Sequence, residues 1–107
     1  HYGDYKLSVN GKIISEELKV QLKSNWPDYV FQEDYELMPI EQLREHLTEK
    51  GHLPGVPSAK EVNQANGIYV GEMHKILLEK IEELTLYILE KDKEIQDLKR
   101  QVEGLQK

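Results

Sequence analysis

The 107 residues contain no cysteine, so neither a disulfide framework nor a thiolate-based zinc site can hold the fold, and no redox compartment is indicated. Long apolar runs are missing too. No stretch approaches the roughly 20 apolar residues needed to cross a bilayer, and the opening residues lack the basic-then-apolar order of a signal peptide. Membrane insertion is not expected. Basic charge is in deficit, with 14 Lys plus Arg against 20 Asp plus Glu and a net charge of −6, which argues against a nucleic-acid partner because nonspecific binding rests on clustered cations. The length matches one ordinary domain of roughly 100–150 residues and leaves no space for a cofactor domain beside a catalytic one. The chain begins at His1 rather than Met, which points to a piece of something longer.

Catalytic motifs are equally scarce. There is no Gly-x-Ser-x-Gly elbow, no glycine-rich phosphate loop and no His-Glu-x-x-His, so neither nucleophile activation nor metal-assisted hydrolysis has the arrangement it needs. His46 and His52, with Glu45 or Glu49, lack the ligand number and spacing of a four-coordinate site and read as surface residues of a helix. No residue is assigned to catalysis, to a cofactor or to a metal, and the chain is expected not to be an enzyme.

What is present is hydrophobic periodicity. Tyr5, Leu7 and Val9 alternate, Asn10-Gly11 suits a type I′ turn, and Lys12, Ile13 and Ile14 follow, which predicts a hairpin. Leu18, Val20 and Leu22 alternate against Glu17, Lys19 and Gln21, the period of a half-buried strand. Trp26 is biased to extended backbone by Pro27, and with Tyr29 and Phe31 it is expected to form a small core. The same aromatic group could instead be a sugar-stacking platform, and Trp26, Tyr29 and His52 are the candidates for a ligand contact.

Helix signals follow. Pro39 opens a predicted helix to Lys50 with Ile40, Leu43 and Leu47 on one face and Gly51 as its left-handed cap. Pro54 and Pro57 exclude helix around Gly55, Ser58-Ala59-Lys60-Glu61 is a capping box, and Asn66-Gly67 closes the short helix it opens. From Gly71 to Lys107 no proline interrupts a heptad repeat whose a positions are His74, Ile81, Ile88, Ile95 and Val102 and whose d positions are Leu77, Leu84, Lys91, Leu98 and Leu105. All but His74 and Lys91 are aliphatic, so a helix of roughly 55 Å needs a partner strand to cover its seam. His74 reads as a tolerated residue near the helix start, with a polar or anion-binding layer as the other reading. Lys91 either sets register or extends its stem to solvent.

β-branched residues at a with Leu at d favour two strands. Met73 and Tyr87 at g, Leu78 at e, and Ile76, Leu86 and Leu89 widen the apolar face, which fits a trimer or a helix that packs on its copies and also on its own head. Glu94 at g faces Lys99 at e of a parallel neighbour, an attractive pair. The expected architecture is α+β: residues 1–24 a β segment, 25–70 a small α+β head, and 71–107 a parallel coiled coil, expected as a homotrimer with a dimer as runner-up.

Several ordered motifs carry a resemblance. Tyr5-Lys6-Leu7-Ser8-Val9-Asn10-Gly11-Lys12-Ile13, Trp26-Pro27-Asp28-Tyr29-Val30-Phe31, His52-Leu53-Pro54-Gly55-Val56-Pro57-Ser58-Ala59 and Asn66-Gly67-Ile68, followed by the long helix, resemble the C-terminal module of tail-fibre-like surface proteins of bacteria and their phages. The resemblance spans about Tyr5 to Glu90. It implies a fibre end at a cell surface or on a virion tail fibre, with Tyr5 to Ile14 as the last turn of a β shaft, then a head, then a helical bundle. The order is similar to endosialidase-type intramolecular chaperone domains, whose self-cleavage begins at a Ser-Asp pair. No such pair exists here, since Ser8, Ser15, Ser24 and Ser58 precede Val9, Glu16, Asn25 and Ala59. The implied role is a non-enzymatic module that trimerises and registers a fibre; the alternatives are a receptor- or glycan-binding tip and a self-processing chaperone. A bundle that nucleates quickly would make registration of slow, long-range β pairing intramolecular.

Overall fold

A computed structural model describes residues 3–22 and 26–105. The elements in order are a 3₁₀ turn at Tyr29–Phe31, α1 at Ile40–Lys50, α2 at Ala59–Ala65 and α3 at Val70–Leu105. The molecule measures 74 × 32 × 28 Å, and α3, whose 36 residues span about 54 Å at a 1.5 Å rise, is its longest element.

No strand occurs among the described residues, so the α+β expectation is corrected to an all-helical architecture joined by irregular segments. The β segment of residues 1–24 is not formed in its described part, and the head of residues 25–70 carries helices only. The boundary placed after Ser24 lies outside the described residues. Two physical reasons account for the missing hairpin. Both centres of a type I′ turn require positive φ, and neither Asn10 nor Gly11 has it. Nor is there a third strand or helix face to take the apolar side of the segment: Leu7 is 80% exposed and Ile14 98% exposed, and an unsupported pair of strands is marginal in water. The alternation of Leu18, Val20 and Leu22 is used differently. Val20 and Leu22 lie over Gly71 so closely that a β-carbon there would meet Val20 Cγ1 and Leu22 Cδ2 at 2.6 Å, which ties the segment to the start of α3.

The helices obey local chemistry. Pro39 caps α1 rather than lying within it, its carbonyl accepting from the Leu43 amide at 3.0 Å, and Gly51 at φ 74° closes the helix with its amide on Leu47 O. Ser58 Oγ accepts from the Glu61 amide at 3.2 Å and Glu61 Oε1 accepts from the Ser58 amide at 3.3 Å, so both halves of the capping box are made. Asn66 takes the left-handed position at φ 60° after α2, and the Gly67 amide returns to Val62 O. The Met73 amide donates to Tyr69 O as α3 begins.

The core differs from the aromatic cluster expected. Among the described residues Val30 and Pro27 are the largest fully buried side chains, while Trp26 and Phe31 are about half exposed. The reason is the 3₁₀ turn: it replaces the extended geometry that would have put Tyr29 and Phe31 on one side, so that Val30 points inward and Tyr29 turns to α3.

Candidate association surface

The buried and half-buried residues of α3 include Gly71, Leu78, Glu79, Glu82, Glu83 and Leu86. At about 100° per residue these form one side of the helix, and the heptad seam lies on the roughly opposite side. The head occupies the first of these. Tyr29 donates its phenol proton to Glu79 Oε2, Tyr35 donates to Glu83 Oε2, and Tyr87 donates to Met38 O. Lys80 Nζ lies 2.9 Å from Glu83 Oε1 and 3.4 Å from Glu79 Oε1, so one ammonium joins the two carboxylates that receive the tyrosines. The tyrosine rings are 5.9 Å apart.

This junction perturbs its ionisable groups consistently. The hydrogen bond to Glu79, then burial and the neighbouring carboxylates, push the Tyr29 phenol up to about 12. Burial and then Glu83 raise Tyr35, and burial with Glu83 and Glu90 raises Tyr87. These phenols therefore stay protonated donors at neutral pH. Glu82 is 8% exposed and its Oε2 has no hydrogen-bond partner. Burial first, then Asp28 and Glu79, raise its carboxyl above the ordinary range. The arrangement clamps the head to α3. Among the described residues no group of three or more His, Asp or Glu is placed to hold a metal ion.

On the opposite side the seam is open. Leu77, Ile81, Leu84, Ile88, Ile95, Leu98 and Val102 are each between 46% and 60% exposed and Leu105 is 87% exposed. His74 is exposed. Lys91, at d, lies 3.1 Å from Glu94 of its own chain, so its charge is met beside the seam. Shallow apolar grooves follow the same line, one between Tyr87 and Ile95 and another between Ile95 and Glu103. A deeper one of about 360 Å³ opens where the head meets the seam, between Leu43, Leu53 and Pro54 on one wall and Leu77, Ile81 and Leu84 on the other.

The three candidate ligand contacts are turned to different neighbours. Trp26 is half exposed, the Tyr29 phenol is committed to Glu79, and the His52 ring packs edge-on against His46 at 5.6 Å. Sequence reasoning placed Leu43 on the apolar face of α1 but did not foresee that Leu53 and Pro54 would border the seam. The available signal was an apolar pair in a connection that helix chemistry alone left unexplained. Glu82 was missed for another reason: its burial depends on what the head lays over it.

No helix among the described residues is long and apolar enough to cross a membrane. Compared with family models, curated proteins and solved structures, the chain matches none of them.

Proposed function

We propose that the chain is a non-enzymatic structural module that joins copies of itself through the seam of α3. The observation that carries this reading is the apolar surface left open opposite the head. The molecule exposes 9964 Å², whereas a compact monomer of this mass exposes about 6,200 Å². Its radius of gyration is 20.3 Å against about 13 Å for a compact chain of this length. The difference in surface, about 3,800 Å² per chain, is divided between the exposed segment of residues 3–21 and the open length of α3. The open length of α3 carries an aliphatic line from Leu77 to Leu105 interrupted at Lys91, which the elongated shape alone does not require.

Association is parallel in this reading, since Glu94 then meets Lys99 of the neighbour across the seam. The strand number follows from how the wide apolar face is divided. Leu78 and Leu86 widened it and argued for three strands, but both are half-buried on the side that carries the head. Met73, Ile76 and Tyr87 are half-buried as well, Tyr87 against Met38 of the head, and Leu89, though exposed, lies on the back of the helix. Without these the seam reduces to β-branched a and Leu d, which favours two. The fibre-registering role becomes narrower too. No strand forms among the described residues before the head, so what is retained is the joining of chains; the motif resemblance is what supports placement at a cell surface or on a virion tail fibre.

Light scattering over a concentration series tests the proposal. A mass of two chains supports it as stated, and three chains supports self-association with the trimeric count of a fibre end. A monomer at all concentrations would remove its basis.

A further inference from the structure

We propose that the groove between the head and the seam receives α3 of a second copy, so that the head is itself part of the interface and fixes where the partner helix lies. This rests on the self-association reading and deepens it by naming the residues that select the partner's level. Continuity carries the argument. Leu77, Ile81 and Leu84 belong both to the seam and to the groove wall, and a helix covering them at the usual 8–10 Å axial separation must also meet Leu43, Leu53 and Pro54. The groove's charges are already matched: Lys80 and Glu83, at its edge, are paired with each other at 2.9 Å. An apolar occupant therefore leaves no charge unpartnered there. A copy of α3 has the required chemistry, because in a parallel register its own Leu77, Ile81 and Leu84 arrive at the same level.

The head wall also supplies what a bare heptad lacks. A run of Ile at a and Leu at d repeats every seven residues and tolerates a slip of one heptad, whereas a groove present only at Leu77 to Leu84 distinguishes the native level from its neighbours.

The test uses the full chain and two measurements. Leu53 is 41% exposed, so Leu53→Asp is expected to keep the helical circular dichroism of the parent while raising the dissociation constant of the oligomer at least about tenfold. An unchanged constant in a wild-type protein that does oligomerise would overturn this inference and leave the proposed function standing. A wild-type protein that stays monomeric would instead overturn the proposed function itself. For position, the absence of native cysteine lets Leu53→Cys chains be refolded with Ile81→Cys chains and treated with a short bismaleimide. A covalent heterodimer supports the groove assignment. Cross-linking of Leu53→Cys to Val102→Cys in its place, or to neither, would overturn it.

Discussion

The two halves of α3 share one heptad pattern and have different fates. From Val70 to Tyr87 the helix is covered on its back by the head. From Ile88 to Leu105 most seam residues are about half exposed, and the positions behind them are exposed too. The back positions explain the change. In the first half they are Gly71, Lys75, Leu78, Glu79, Glu82 and Leu86; about five turns further along the same side presents Leu89, Lys93, Gln96, Asp97, Arg100 and Gly104, all exposed. A closely approachable glycine, two leucines and carboxylates that accept phenols give way to a solvated face whose Asp97 and Arg100 pair across one turn at 3.8 Å. The comparison teaches that a heptad identifies only the seam. Whether a helix carries a second partner depends on its other side.

The largest expected effect breaks the bare half. Ile88→Asp places a charge in the seam of every chain, and desolvating it should raise the dissociation constant of the oligomer roughly a hundredfold or more. Sedimentation velocity reads this directly, and normal assembly of the variant would mean the seam is not the interface. Head docking should be unaffected, because the covered side does not use Ile88.

Gly71→Val strikes the covered half. The new side chain would collide with Val20 and Leu22, and such overpacking costs about 1–3 kcal/mol. Valine's slightly better helix propensity cannot offset that. Urea denaturation measures the loss, and hydrogen exchange should show residues 18–22 released first. Tyr35→Phe is gentler. It removes the donor to Glu83 while keeping the ring, for about 1 kcal/mol. Equal stability of the two proteins in urea would show that the phenol contributes nothing to the clamp.

The smallest effect is pH-dependent. Glu82 holds its proton more tightly when the head is docked than when the chain is unfolded, so its contribution to stability is fully present below its unfolded value. That contribution is lost as pH rises through the raised folded value. Glu82→Gln cannot ionise. The urea midpoint of the variant, compared with the parent from mildly acidic to neutral pH, should therefore gain on the parent as pH rises. A constant difference would show that Glu82 keeps its ordinary affinity for protons.

Much of the local structure was legible beforehand because its chemistry is local. Gly51 terminates α1, the Ser58 to Glu61 box opens α2, Asn66-Gly67 ends it, and an uninterrupted heptad runs through α3. The errors lie where period was taken for structure. Tyr5 to Ile14 alternates as a strand does, yet alternation describes only which residues could share a face; without an element to pair with, the segment stays irregular and exposed. Trp26 and Phe31 have the composition of a core, but Val30 became the core because a three-residue turn rotated it inward.

By itself, then, the sequence determined where helices begin and end, and which line of residues along α3 is aliphatic, because caps and heptads depend on contacts within a few residues. Only the tertiary structure decided that the strands do not form, that Glu82 is buried, and that Leu53 and Pro54 border the seam. Each of those depends on residues far apart in the chain meeting in space, where burial and pairing, rather than spacing, set the energy.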